Sequence, residues 1–365
     1  MPPGGDAPAH PAGFRGRGHA AGVGDPQARP GEGHLRRALA DRAGDAVLHR
    51  RRDQAVPVRP GLLRGRAGPV HAHRRRRWGA LHRDPLQPGR GRSPRPAAAV
   101  SPAFVDTHAH LTDARFAADR DAALARARAA GVVRILEIAD EPDAWDRALA
   151  LCRERPQELR CSLGLHPYHV DRFSEELAED LVRRAKLPEV AAAGEFGLDY
   201  ARCPIPPEAQ RRVLPKLLEA AGATGLPVVL HCRDAYADLF DILRAVYGGR
   251  RPRGRYHGVL HCFSAGAAEA ETAVRLGFAI GVDGPVTYPK NDALRGGVRA
   301  AGLASVVLET DSPYLPPQSR RGQRNEPQSI PEIADAVAAV FGRTLAEIAA
   351  VTTENARELF GFAGI

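Results

Sequence analysis

Eight short apolar runs punctuate the chain from Phe104 onward, and a stretch with helical spacing follows each of them. They read FVDTHAHL, VVRILEIA, LRCSLGLH, VAAAGEFGLDY, PVVLHCRD, GVLHCFS, FAIGVDG and SVVLETDS, and begin near residues 104, 132, 159, 190, 227, 258, 278 and 305. Near-continuous apolar runs suit parallel strands covered on both faces, and spacings of 20 to 37 residues leave room for strand, loop and helix in each unit. Between the runs, Asp119–Ala130 is alanine-rich and stops at Gly131, which suits a helix C-cap. Leu214, Leu217, Leu218 and Ala221 form an i, i+3, i+4, i+7 stripe, with Pro215 inside it expected to kink the helix or shift its start. Ser329 with Glu332, and Thr344 with Glu347, have capping-box spacing. Eight alternating units in residues 101–365 predict a (β/α)8 TIM-type barrel. A doubly wound open sheet is the competitor, but no GxGxxG follows the first strand.

The first hundred residues have no such pattern. They are rich in Arg, Gly, Pro and Ala, and their few Val and Leu side chains cannot offset the entropy of ordering the chain. Residues 1–100 therefore form a low-complexity extension, expected to be disordered or non-native, and residues 101–365 form the barrel domain. Met1 is the sole methionine, which leaves a true start near Val100 open. The division also explains the charge. The whole chain carries +9. Residues 1–100 hold 20 Arg and 7 acids, hence +13, and the barrel carries −4. A basic nucleic-acid arm is one reading of the extension, but the overall basicity says nothing about the barrel. His71 and His73 have HxH spacing without an apolar strand around them, so no metal is expected there. No apolar run is long enough to span a membrane. Five cysteines without a CxxC suit reduced thiols, and a cytoplasmic location is expected.

In such a barrel, chemistry belongs to the carboxyl ends of the strands. The first run ends in His108 and His110, the third at His166, the fourth in Glu195 and Asp199, the fifth in His231 and Arg233, the sixth at His261, and the eighth in Glu309 and Asp311. Beyond residue 100 the chain has seven histidines, and five of them fall at these ends. Residues i and i+2 of a strand share a face, so His108 and His110 can offer two nitrogens to one ion. Imidazoles with carboxylates make a site for a divalent metal such as Zn, Mn or Mg. Cys232 and Cys262 each follow a ligand-type histidine, so alternation turns them away from the axis into the core.

These residues resemble the TatD-type metal-dependent deoxyribonucleases, a branch of the amidohydrolase-like barrels. The resemblance rests on DTHAHL at 106–111, GLHP at 164–167, GEFGLDY at 194–200, LPVVLHCRDA at 226–235, LHCFS at 260–264, and LETDSPYLPP with RGQRNEP at 308–327. TTENARELFG at 352–361 resembles the family's closing helix. Ala201, Arg202 and Cys203, and also Ala265, depart from the family's usual pattern beside the expected mouth. The resemblance implies two divalent metal ions. His108, His110, Glu195 and Asp311 would hold one, and Glu195, His231 and His261 the other, with Glu195 bridging. Asp311 would also orient or deprotonate the attacking water, with pure ligation as the alternative. His166, Asp199, Tyr200, Arg233, Arg321 and Asn325 are candidate substrate contacts, and Glu309 could orient a ligand histidine.

The function expected is metal-dependent hydrolysis of phosphodiester bonds, as a deoxyribonuclease of 3′-5′ exonuclease type. Single-stranded DNA or a frayed end would be the substrate, and the chain a monomer with no membrane partner. The net-acidic barrel suits a small mouth with local cations better than a broad DNA groove. Amidohydrolase-type cleavage of a C–N or ester bond in a small substrate is the alternative. A closed structural zinc site is disfavoured, because such sites have four ligands that often include Cys.

Overall fold

The computed structural model describes residues 102–362. The expectations for residues 1–100 lie outside the described residues. Eight strands form one parallel sheet in the order β1 to β8: β1 Phe104–Ala109, β2 Val132–Ala139, β3 Leu159–Leu163, β4 Val190–Asp199, β5 Val228–Arg233, β6 Gly258–Leu260, β7 Phe278–Val282 and β8 Val306–Leu308. The Ala109–Ser312 bridge, with His110 N donating to Ser312 O at 2.7 Å and Asp311 N to His108 O at 2.8 Å, joins the last segment to the first. The barrel is the expected one, and the open sheet is excluded.

Helices cover the strands: α1 Arg120–Ala129, α2 Pro142–Glu154, α3 Glu175–Arg184, α4 Pro207–Thr224, α5 Tyr236–Tyr247, α6 Ala267–Arg275, α7 Asp292–Ala301, α8 Ile330–Phe341 and α9 Leu345–Phe360. Their buried stripes pack on the outward side chains of the strands in one continuous core, as with Leu214, Leu217, Leu218 and Ala221 of α4. Val105, Leu136, Ile138, Val229, Val259, Ala279 and Val307 form a second cluster with Phe360 and Phe362. Among the described residues no helix is long and apolar enough to cross a membrane.

One local expectation needs correction, one is narrowed and one is met. Helix α4 runs through Pro215 from Pro207, so the proline does not shift its start. Ser329 closes a 3-10 turn at Pro327–Ser329 and already has helical φ and ψ, so its hydroxyl makes no cap bond to α8, and Glu332 instead accepts from Ser319 Oγ at 2.6 Å. Thr344 and Glu347 form the capping box that starts α9.

Candidate active site

The carboxyl ends of the strands converge on one buried carboxylate. Glu195, on β4, is 2% exposed. Its Oε2 lies 3.3 Å from His108 Nε2, and its Oε1 lies 2.8 Å from His231 Nδ1, 3.0 Å from His261 Nε2 and 3.5 Å from His166 Nε2. Beside it, Asp311 Oδ1 stands 3.4 Å from His110 Nε2 and 3.8 Å from His108 Nε2. The His108 and His261 rings stack with centroids 3.7 Å apart. Four sets of donor atoms are close enough to share an ion: His108, Glu195 and His261; His108, His110 and Asp311; His166, Glu195 and His231; and Cys262, Asp283 and Asp311. All six residues expected as ligands meet here, and His166, expected only as a substrate contact, joins them.

The backbone makes this convergence possible. Gly164 follows β3 and crosses β4 so closely that a Cβ there would lie 2.1 Å from Gly194 C and 2.2 Å from Glu195 N. Its carbonyl accepts from Trp145 Nε1 at 3.0 Å. Buried carboxylates then fix the ligands. Asp106, on β1, accepts from Thr310 N at 2.9 Å and Thr310 Oγ1 at 2.6 Å, tying the first strand to the segment that carries Asp311. Glu137, on β2, accepts from Leu111 N and both Thr112 donors, and so clamps the turn after His110. Asp199 Oδ2 stands 3.2 Å from His231 Nε2, while its backbone N and O are held by the Gln210 amide. Glu309 Oε1 is 3.6 Å from His261 Nδ1 and accepts from Cys262 N. Carboxylates behind imidazoles set ring orientation and basicity.

A divalent cation fits this donor set. Both ring nitrogens of His108 are buried without a hydrogen-bond partner. Leaving such atoms unpaired costs about 1–3 kcal/mol each, and a cation would relieve at least one of them. Imidazole and carboxylate donors suit Zn, Mn or Mg.

Electrostatics point the same way. Burial alone would raise Glu195, but the surrounding imidazoles of His261, His166, His108 and His231 outweigh it and hold the carboxyl well below its ordinary range. Burial would lower His231, yet bonds to Asp199 and Glu195 raise it, and Glu195 and Glu309 overcome burial to raise His261. His110 is pushed up to about 10, against burial, by its bond to Asp311 and the charges of Asp140 and Asp311. Burial lowers His166 to about 3 and also lowers His108. Without metal, His110 thus holds its proton through neutral pH, His231 and His261 shift in the same direction, and a coordinating ring must shed its proton. Metal uptake is therefore expected to release protons, and apparent affinity to rise with pH. Calorimetric metal titration at pH 7 in two buffers of different ionisation enthalpy should give different heats; equal heats would contradict this.

A cavity of about 290 Å³ opens over the cluster, lined in part by His166, Asp199, His231 and Arg233. Three of the expected substrate contacts thus lie at it, and three lie elsewhere. Tyr200 turns its hydroxyl outward to Asp238 (2.7 Å) and Arg211 (3.2 Å), on α5 and α4. Arg321 is exposed and lies over the Tyr288 ring at 4.5 Å. Asn325 is fully buried; its Nδ2 donates to Thr310 O at 2.8 Å and its Oδ1 accepts from Glu326 N at 2.9 Å, so it pins the loop after β8. Cys262 also departs from expectation. Strand β6 ends at Leu260, so alternation no longer applies, and at φ 45° Cys262 turns its Sγ to donate to Asp283 Oδ2 at 3.2 Å on the cavity wall. Asp283 escaped notice, although a buried acid in the run FAIGVDG was its signal, as Glu137 was in VVRILEIA.

The sequence profile of the family described as TatD related DNase matches residues 105–361. The 3′-5′ ssDNA/RNA exonuclease TatD of Erwinia amylovora is 36% identical over 261 residues, 70% of this chain and 99% of that protein. The uncharacterized metal-dependent hydrolase YjjV of Escherichia coli K12 is also 36% identical over 261 residues, 70% of this chain and 97% of its own. The crystal structure of the YjjV TatD homologue superposes with a TM-score of 0.64 at 35% identity, covering 71% of this chain and 98% of that one.

Proposed function

The chain belongs to the TatD-related DNase family of metal-dependent hydrolases, and from that premise we propose that it degrades single-stranded DNA from the 3′ end. Supporting this reading, a relative that the chain matches over 99% of its length is named a 3′-5′ ssDNA/RNA exonuclease. The observation that carries it is the buried Glu195 carboxylate within 3.5 Å of four imidazoles, one of them with neither ring nitrogen hydrogen-bonded. In the proposed assignment His108, His110, Glu195 and Asp311 hold one divalent ion and Glu195, His231 and His261 the other. Two such ions, when bound, activate water and stabilise the attacking and leaving oxygens of a phosphodiester.

The protein's own side chains do the rest. Asp311 is 13% exposed at the cavity and kept ionised, because the bond from His110 and the nearby imidazoles overcome burial. It is placed to take the proton of the attacking water. Asp199 and Glu309 hold His231 and His261 in register. Arg233, 34% exposed and 3.5 Å from Asp199 Oδ2, offers its guanidinium to a phosphate oxygen. That cation favours a phosphodiester over the amide or ester of a small neutral substrate. Arg233→Ala is expected to raise KM for single-stranded DNA about tenfold, the size of one charge-assisted hydrogen bond, with metal content unchanged. A steady-state comparison beside metal analysis checks this.

End-labelled strands test the polarity. A 5′-labelled strand should give a descending ladder and a 3′-labelled strand should release labelled mononucleotide first. The reverse pattern, or internal cuts alone, would overturn the 3′-5′ assignment.

A further inference from the structure

The side chain of Tyr314, three residues past Asp311, is 46% exposed and is the one large apolar side chain in the open among the described residues. It is not loose. The Arg115 guanidinium lies 4.1 Å from its ring centroid, and two bonds to Asp113, at 2.9 and 2.7 Å, hold that guanidinium. The His110 ring meets Tyr314 edge-on at 5.9 Å. Tyr314 therefore stands as a braced aromatic wall beside the metal-ligand cluster. A second cavity of about 230 Å³ adjoins the first, and His110, Asp140, His169 and Tyr314 line both.

Asp140 and Glu141 also face this second cavity. Asp140 follows β2, and its carboxylate makes neither a hydrogen bond nor an ion pair among the described residues. Glu141 is held only loosely, 3.6 Å from Arg172 and 3.8 Å from His169. Arg147, His110 and His169 share the cavity with these two carboxylates, which weigh against a phosphate there. Both carboxylates are good acceptors for the amino group of a nucleobase, as when an acid reads N4 of cytosine. An aromatic wall gives that base a surface to stack on.

We propose that the cavity between Tyr314 and Asp140 is a nucleobase subsite, which stacks the base next to the scissile phosphate on Tyr314 and prefers cytosine or adenine, whose amino groups Asp140 accepts. Thymine offers a carbonyl oxygen there and is disfavoured. The proposal rests on the nuclease reading above and gives it a base preference.

The test uses the full chain and two probes, deoxycytidine and thymidine, titrated by ligand-observed NMR. Wild type should bind deoxycytidine roughly fivefold or more tighter than thymidine. Tyr314→Ala should weaken both about tenfold, Tyr314→Phe should keep the affinity, and Asp140→Asn should erase the difference between them. Strands ending in C or T should show the same ratio in kcat/KM. Bis(p-nitrophenyl) phosphate is assayed alongside as a phosphodiester without a base. If it is hydrolysed while DNA is not, the nuclease reading fails, and the nucleoside titration still decides the subsite. Equal binding of the two nucleosides to wild type, or no loss in Tyr314→Ala, overturns the proposal.

Discussion

Glu195→Ala should stop DNA hydrolysis, with a fall in kcat/KM on the order of a thousandfold or more, about 4 kcal/mol of barrier. No other side chain among the described residues touches four imidazoles. Its loss removes the carboxylate that raises His231 and His261, so those rings drop toward neutrality and face one another across an emptied centre. The fold should survive because His231 and His261, left without their carboxylate, can shed their protons instead of staying buried as unpaired charges. Metal content should fall with activity. Circular dichroism, metal analysis and single-turnover cleavage on the same preparation separate the two effects. A variant that folds, keeps its metal and cleaves at a tenth of the normal rate would show that Glu195 is peripheral.

Gly164→Ala should do comparable damage without touching a single ligand. The added Cβ would fall 2.1–2.5 Å from the backbone of Gly194 and Glu195. A side chain can turn aside from such a clash, but strand backbone cannot, so relief requires displacing β4 at the point where Glu195 leaves it. Overpacking of this kind costs about 3 kcal/mol or more, roughly a 6–12 °C fall in thermal midpoint for a domain of this size. Activity should fall further than stability alone explains, because small errors in ligand position are costly. The control is Gly296→Ala. Gly296 lies inside α7 with nothing within 4 Å of its Cβ position, so alanine there should leave activity intact and raise stability by about 0.5–1 kcal/mol. If the two variants melt alike, the close crossing of β3 and β4 does not position the site.

The barrel was legible because each strand is buried on both faces and so writes a continuous apolar run. All eight runs became strands that start within one residue of where the pattern places them. The six ligand candidates were legible because chemistry-bearing residues interrupt those runs at the ends, where apolar packing no longer explains them. Legibility stopped where the chain leaves the strand. Asn325 has the right chemistry to grip a substrate, but the loop after β8 folds back and spends its amide on backbone. Tyr200 lies one residue past Asp199, yet it points to α4 and α5, and only the path of the turn decides that. Cys262 was misjudged because strand alternation was carried past Leu260, where β6 has ended. Ser329 had the spacing of a capping box, but Pro327 opens a 3-10 turn that places the serine inside the helical geometry. Spacing along an element is written in the sequence; the course of a loop depends on contacts between segments far apart in it.

The most direct test of the Glu195-centred metal hydrolase is a metal titration of activity. Full-length protein is stripped with EDTA, dialysed free of chelator, and given Mn²⁺, Mg²⁺ or Zn²⁺ in measured equivalents before a 5′-labelled single strand is added. The account predicts no cleavage in the stripped protein, and a rate that rises with at least one of these metals to a plateau near two equivalents per chain. Cleavage that persists without metal, or none at any metal loading while the protein remains folded, would contradict it.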